Sequence, residues 1–181
     1  MLALTQLKEV IMAKVRVRER DREVELADTY EMVLYQRRKF IEQQMTGKVV
    51  IHEKDREWEP GRQGRLKYYL QAHTYSDHAL RDWIVFKHDI RKHSGSHKHQ
   101  GGLVIFCLEG KGYSVVDGAR YDWEEGDLLL LPCKPGGVEH QHFNLEPGKP
   151  CKWIAFLYLP YWDLLASEMT QGELSPDYSP R

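Results

Sequence analysis

Glycine and proline are absent from the first 46 residues of the sequence, so that all 14 glycines and all 8 prolines lie in the remainder. Both residue types interrupt helices, and their absence favours helical structure in this stretch. Apolar residues also recur there at helical spacing. We therefore predict an N-terminal helical extension over residues 1–47, made of one or two helices and ending at Gly47. Asp28 or Thr29 is the expected N-cap of the second helix, and the charged run Arg16–Arg22 is expected to be a turn or an exposed helical face. The first helix is predicted from Leu4, Leu7, Val10 and Ile11.

An excess of charge of either sign is also missing. The chain has 26 Lys and Arg against 27 Asp and Glu, for a net charge of -1. This balance excludes a broad nucleic-acid footprint and a polybasic membrane patch. No apolar run is long enough to cross a bilayer, and the N-terminus shows no signal-peptide pattern. We therefore expect a cytoplasmic protein that binds neither nucleic acid nor membranes.

Cysteine is scarce, with three residues at positions 107, 133 and 151. Three scattered cysteines are too few for a disulfide framework, which indicates free thiols in a reducing compartment.

Short β-rich runs separated by turn residues occupy residues 48–160. The pair Asp117-Gly118 lies between two such runs and predicts a tight hairpin, because both turn positions require positive φ. Regular short strands with hairpin turns indicate a sandwich or barrel. Residues 161–181 are predicted to form a short helix over Tyr161–Met169 and a frayed tail. The predicted strands are Leu66–His73, Trp83–Ile90, Leu103–Leu108, Gly112–Val116, Asp127–Leu131 and Lys152–Leu159.

Four of the nine histidines form two close pairs, His97 with His99 and His140 with His142. Residues two apart on a strand point to the same face, so each pair directs two imidazoles in one direction. Two such pairs on neighbouring strands could converge on one metal ion inside a barrel. The other five are expected to be ordinary surface or pocket residues, namely His52, His73, His78, His88 and His93.

The segments GSHKHQGGLVIFCLEGKG and GDLLLLPCKPGGVEHQHFN resemble the two conserved motifs of the cupin superfamily. The resemblance implies an all-β fold, a cupin double-stranded β-helix (jelly-roll) barrel with an added N-terminal helical segment. It also implies one divalent metal ion bound by His97, His99 and His140. The chain departs from the family at Leu103, which occupies the position where cupins usually have a glutamate ligand. The loop between Pro132 and Gly137 is also longer than usual.

A site of three neutral imidazoles without a carboxylate resembles those of the gentisate and hydroxynaphthoate dioxygenases and of the thiol dioxygenases. The phrase EGKGYSVVDGARYDWEEGDLLLLP is most similar to the gentisate group, whose members usually carry two cupin halves where this chain has room for one. The resemblance implies a non-haem Fe(II) dioxygenase that acts with O₂ on a small aromatic or hydroxy-acid substrate, such as an aromatic carboxylate. Nitrogen ligands also suit Zn, Mn or Ni. A redox-neutral lyase, isomerase or decarboxylase, or a non-catalytic small-molecule sensor, therefore stays open.

Several further residues have two interpretations at this stage. His142 is interpreted as a pocket residue that contacts the metal ligands or the substrate, in preference to a fourth ligand, and Asn144 either orients a ligand or ties its strand. Cys133 lies next to the proposed site in sequence. Aromatic side chains near the motifs could stack on a substrate, but core packing is the favoured interpretation for each. Exposed barrel edges and apolar helices indicate a homodimer. The aromatic residues in question are Tyr113, Trp123 and Trp153.

Overall fold

The computed structural model describes residues 15–19, 22–71 and 73–179, and it consists mainly of antiparallel strands. A 3-10 turn spans Glu53–Asp55. In chain order the elements are β1 (Val15–Glu19), β2 (Arg22–Leu26), α1 (Thr29–Thr46), β3 (Glu59–Gly61), β4 (Gly64–Leu70), β5 (Trp83–Asp89), β6 (His97–His99), β7 (Leu103–Glu109), β8 (Lys111–Val116), β9 (Ala119–Glu124), β10 (Leu128–Leu131), β11 (Val138–Asn144), β12 (Lys152–Tyr158), α2 (Leu159–Leu164) and β13 (Thr170–Gln171).

Two sheets enclose the core of the molecule. The larger sheet has the strand order β10-β7-β12-β5-β4-β3, and the smaller has the order β13-β6-β11-β8-β9. Burial alternates along β7 and β12, so that Ile105 and Trp153 face the core while Val104 and Ile154 do not. This two-residue period is what a half-buried strand requires, and the predicted all-β fold is confirmed.

The hairpin predicted at Asp117-Gly118 joins β8 to β9. Asp117 has φ 48° and Gly118 has φ 81°, so both turn positions adopt the left-handed conformation. Val116 and Ala119 are Cα partners on either side of the turn. The turn thus fixes the register of the two strands, as expected for a two-residue loop of this kind.

Helix α1 ends immediately before Gly47, as the sequence predicts. Its N-cap is Asp28, whose Oδ1 accepts a 2.8 Å hydrogen bond from the Glu31 backbone N–H. The prediction for Arg16–Arg22 is wrong, because its described residues belong to strands β1 and β2. Val15, Val17, Val24 and Leu26 alternate with charged residues, which is the period of a strand, not of a helix.

The first predicted helix, at Leu4, Leu7, Val10 and Ile11, lies outside the described residues. Within the described part of the chain, neither helix combines the length and apolar character that a membrane span needs.

The C-terminal residues differ from the expectation. Helix α2 spans Leu159–Leu164, with Pro160 in its first turn, so it begins and ends earlier than the predicted Tyr161–Met169. The tail after α2 is not frayed at Thr170 and Gln171, because these residues pair with Lys98 and His97 of β6. The backbone N–H of Ser96 also donates to the Glu173 carbonyl oxygen at 2.9 Å. The tail therefore covers one edge of the strand that holds the first histidine pair.

Candidate metal centre

Strands β6 and β11 bring the two histidine pairs together. They pair antiparallel, with His140 opposite His97 and Val138 opposite His99. Because residues two apart share a face, both side chains of each pair point to the same side of the sheet. His99, His140 and His142 are buried, and each is no more than 3% exposed.

Three of the four rings form a compact group. The ring centroids of His97 and His140 are 4.1 Å apart, those of His99 and His140 are 4.8 Å apart, and those of His97 and His99 are 5.4 Å apart. One nitrogen from each ring lies within 4.8 Å of one nitrogen from each of the other two. No carboxylate belongs to this group among the described residues. Such a set of nitrogen donors suits a divalent transition metal and leaves further coordination positions free.

The hydrogen bonds of the rings also bear on whether a metal fits. His140 Nδ1 lies 3.2 Å from the Val138 carbonyl oxygen, which orients the ring and leaves Nε2 free. His97 Nδ1 is buried without a hydrogen-bond partner among the described residues. His99 Nδ1 accepts a 3.0 Å hydrogen bond from the Gly101 backbone N–H. A metal on Nδ1 would replace this bond, and a metal on Nε2 would leave the proton of the neutral ring on Nδ1, which could then no longer accept. In either case the contact with Gly101 must open. The buried, unpartnered nitrogen of His97 lies beside the rings of His99 and His140 and is consistent with a metal ligand. The three histidines therefore fit a divalent metal ion.

Burial keeps all these rings neutral, as metal ligands must be. It lowers the pKa of His97 to about 2, with His140 and His99 as weaker causes. It also lowers the pKa of His99 to about 4 and that of His140 to about 4, in the latter case with help from His99. The pKa of His142 lies well below its usual value for the same reason.

Metal-free protein is therefore expected to lose stability as the pH falls below the ordinary histidine pKa of 6.5. A buried ring that stays neutral in the folded state takes up a proton when the chain unfolds. Each such ring lowers the free energy of unfolding by about 1.4 kcal/mol per pH unit until its folded-state pKa is reached. Urea unfolding at about pH 7.5 and about pH 5.5 should show a fall of several kcal/mol.

His88 provides the check on that expectation. Burial lowers the pKa of His88 to about 3, so His88→Gln should reduce proton uptake on unfolding by about one. His52→Gln, which changes an exposed histidine, is the matched control and should leave the slope as it is. Stability that is independent of pH over this range would contradict the buried, neutral state of the rings.

His142 belongs to a separate hydrogen-bond relay. Trp123 Nε1 donates to Ser114 Oγ at 2.9 Å, and Ser114 Oγ lies 2.7 Å from His142 Nδ1. An indole N–H can only donate. The Ser114 hydroxyl has no other acceptor in the described part of the chain, so its proton is directed to His142 Nδ1. A neutral His142 ring that accepts from Ser114 at Nδ1 carries its own proton on Nε2, and in this tautomer Nε2 is a hydrogen-bond donor.

A cavity of about 360 Å³ adjoins the three rings. Leu103 lines it and is 5% exposed, so the position that the family resemblance assigns to a glutamate is a buried apolar wall. Trp162 of α2 also lines it, with its ring 5.0 Å from that of His99. Trp162 lies within the helix predicted at Tyr161–Met169, but nothing in its spacing from the histidines indicated that it would contact His99. The lining is largely apolar and aromatic, and it includes Leu66, Tyr68, Phe86, Trp153, Leu157 and Met169.

The other sequence candidates divide between the cavity and the scaffold. Trp153 lines the cavity, whereas Trp123 is buried beside Ser114 and Tyr113 stacks on Phe143 with ring centroids 4.5 Å apart. Asn144 ties its strand, because its side-chain amide donates to the carbonyl oxygens of Ile90 and Lys149, each at 3.0 Å. Cys133 is exposed and Cys107 and Cys151 are buried, and all three are free thiols.

The five remaining histidines differ in location. His73 and His88 line the cavity, His52 is exposed, and His93 is partly buried with Nδ1 2.9 Å from the Ser94 carbonyl oxygen. His78 is fully buried, so it is not a surface residue, and it is not among the residues that line this cavity.

Part of this chain resembles known proteins. Residues 89–157 match the family model of the cupin domain. A gentisate 1,2-dioxygenase from a Streptomyces species is 34% identical over 90 residues, which are 48% of this chain and 23% of that protein. A 5-aminosalicylate 1,2-dioxygenase from a Comamonas species is 33% identical over 89 residues, again 48% of this chain and 23% of that protein. The match thus spans about a quarter of the length of these relatives.

Among solved structures, the polyketide cyclase RemF from Streptomyces resistomycificus superposes with a TM-score of 0.52 at 18% identity, covering 72% of this chain and 89% of that one. At this identity the likeness concerns the fold alone. Together with the two antiparallel sheets, it confirms the predicted barrel type.

Proposed function

We propose that this protein is a non-haem Fe(II) dioxygenase of small aromatic hydroxy acids, because residues 89–157 match the family model of the cupin domain and the chain resembles part of gentisate 1,2-dioxygenase-like proteins. His97, His99 and His140 would hold the ion. The supporting observation is the group of three neutral imidazoles, without a carboxylate, at a cavity with aromatic walls. When bound, iron in such a site accepts a chelating anion and activates O₂ for reaction with it.

The cavity residues define what the protein itself contributes. The apolar wall formed by Leu103, Leu157 and Phe86 excludes water from the reacting groups. Trp162, beside His99, and Trp153 of β12 both line the cavity and add aromatic surface to its wall. A cavity of about 360 Å³ is large enough for one substituted aromatic ring.

His142 would act as a hydrogen-bond donor beside the ion. The relay from Trp123 through Ser114 leaves the proton on His142 Nε2, where it can stabilise a developing negative charge on a substrate oxygen. Nδ1 does not compete, because it accepts from Ser114. Ser114 and Trp123 are thus positioning residues, and His142 is the group that meets the substrate.

The relay gives a direct test of this role. Ser114→Ala removes the partner that fixes the His142 tautomer, so we expect kcat to fall about tenfold to 100-fold while bound metal stays at the wild-type level. His142→Gln should likewise retain the metal, because Nε2 of His142 is not a ligand. Metal content by elemental analysis and steady-state kinetics measure both effects. Loss of metal from His142→Gln would instead make His142 a fourth ligand.

Oxygen uptake tests the proposed reaction. Purified protein is loaded anaerobically with Fe(II) or with Zn(II), mixed with gentisate, 5-aminosalicylate or salicylate, and exposed to oxygenated buffer in an electrode cell. The iron protein should consume O₂ with at least one of these acids, and the zinc protein should consume none. Turnover of a ligand by the zinc protein without O₂ would favour the redox-neutral lyase, since three histidines also suit zinc.

Homodimer formation and a cytoplasmic location stay predictions.

A further inference from the structure

The outer face of the six-stranded sheet is apolar across three neighbouring strands. Strands β10, β7 and β12 lie side by side, and β10 is the edge strand of the sheet. Residues that alternate with the core positions of these strands point outwards and form two rows across them. One row contains Leu128, Phe106 and Ile154, and the other contains Leu130, Val104 and Phe156.

Four of these six side chains are exposed in the single chain. Val104 is 41% exposed, Phe106 38%, Leu128 61% and Leu130 62%. Leu128 is the Cα partner of Phe106, and Leu130 is the Cα partner of Val104, so the exposed apolar surface is contiguous. A contiguous apolar patch on a folded protein marks a surface that another molecule or segment covers.

The smaller sheet shows how this chain builds an outer face that contacts water. On β8 and β9, Lys111 pairs with Glu124 at 2.8 Å and Arg120 pairs with Asp122 at 2.6 Å, all on the outside. A sheet with one face in water alternates apolar and polar residues in this way, whereas a sheet covered on both faces has continuous apolar runs. The edge strand β10, which consists of the four leucines Leu128–Leu131, is such a run. The two sheets therefore differ in what covers their outer faces.

The charges beside the apolar rows indicate which partner fits. Lys152 of β12 donates to Glu109 at 2.7 Å, and Lys87, the neighbour of Ile154 on β5, pairs with Glu53 at 3.0 Å. These pairs neutralise each other within the chain, so they attract neither a charged partner nor an anionic membrane surface. A neutral apolar face is complementary to itself, and a two-fold axis sets the same patch of two copies together. The net charge of -1 per chain opposes such an approach only weakly.

We infer that the chain associates with a second copy of itself through the outer face of the six-stranded sheet, around a two-fold axis that buries Val104, Phe106, Leu128 and Leu130 of both copies. The same strands contribute Leu103 to the cavity from their inner face. The interface thus lies on the side of the sheet that faces away from the cavity, and the inference does not rest on the proposed function.

Light scattering and sedimentation of the full chain test this inference. The wild-type protein should have twice the mass of one chain. Val104→Lys and Leu130→Lys each place two unpaired lysines in the interface, one from each copy, so the dissociation constant should rise by more than about 100-fold and the mass should fall to that of one chain. Circular dichroism verifies that the variants are folded.

Two control variants carry a lysine on other surfaces. Val115→Lys makes the same change on the outer face of β8, and Ile41→Lys alters an exposed apolar residue of α1. Both should keep the mass of the wild type. A wild-type protein with the mass of one chain, or dissociation by Ile41→Lys and not by Val104→Lys, would overturn the inference.

Hydroxyl-radical footprinting of the wild-type protein does not depend on any variant folding. Leu128, Leu130 and Phe106 should lose most of the oxidation that they show in the unfolded chain, because the second copy covers them. Tyr121 of β9 is 53% exposed and should stay reactive. Ready oxidation of the three residues would contradict the proposed interface. Their protection in a protein with the mass of one chain would mean that another segment covers them, which also refutes association with a second copy.

Discussion

His97→Ala and His140→Ala should each give a folded protein that has lost most of its bound metal and all measurable oxygen uptake. Either change leaves two imidazoles, and two ligands hold a divalent ion poorly. We expect metal affinity to fall by more than about 100-fold, since even groups that only orient a ligand are worth about 10- to 100-fold. Elemental analysis of protein purified without chelators measures the loss.

The metal-free variants should remain folded, which separates a lost ligand from a lost fold. His97 Nδ1 has no partner in the described structure, so removal of that ring breaks no hydrogen bond at this nitrogen. Circular dichroism and thermal unfolding should therefore resemble those of metal-free wild type. His52→Ala, which removes an exposed histidine, is the control and should retain metal. One metal ion per chain in both ligand variants would show that the assignment is wrong.

Leu103→Glu should couple stability to metal far more strongly than in the wild-type protein. Leu103 follows the loop after β6, is 5% exposed and lines the cavity beside the three rings. Without an ion, a carboxylate there loses its hydration and must take up a proton, so the metal-free variant should be less stable by several kcal/mol. With an ion, the carboxylate becomes a fourth ligand. The added oxygen should also shift preference towards Mn(II).

Leu103→Gln separates charge from packing in that experiment. It removes the same apolar contacts and has nearly the same shape as glutamate, but it brings no negative charge. Unfolding midpoints with and without Zn(II), Fe(II) and Mn(II) should show a larger metal-induced rise in Leu103→Glu than in Leu103→Gln. Tenfold in affinity corresponds to about 1.4 kcal/mol in that difference. Equal rises in the two variants would mean that residue 103 does not reach the ion.

The arrangement of the histidines could be predicted from the sequence because it depends on one local rule. Side chains two apart on a strand share a face, so HKH and HQH each define a direction before any tertiary contact is known. The hairpin at Asp117-Gly118 follows in the same way from the φ angles that its residues tolerate. Both features are local, and neither depends on distant parts of the chain.

The groups that surround the rings could not be predicted, because they come from distant segments. Trp162 reaches His99 from the helix after β12, and the indole of Trp123 reaches His142 only through Ser114. The contact of Ser114 with Trp123 lies within the β8-β9 hairpin, but nothing in the spacing indicates that Ser114 meets His142 or that Trp162 meets His99. The error at Arg16–Arg22 has a different origin. Val15 and Val17 alternate with charged residues as in a strand, but the high charge of the run favours the interpretation as a turn or an exposed helical face.

The pairing of Thr170 and Gln171 with β6 has a practical consequence for handling the protein. Proteolytic clipping before Thr170 would turn the histidine-bearing β6 into an open edge of its sheet, and open edges recruit strands from other molecules. We expect a preparation nicked there to aggregate and to bind less metal, although every proposed ligand is chemically intact. Intact mass should accordingly be verified before a low metal content is attributed to chemistry at the histidines.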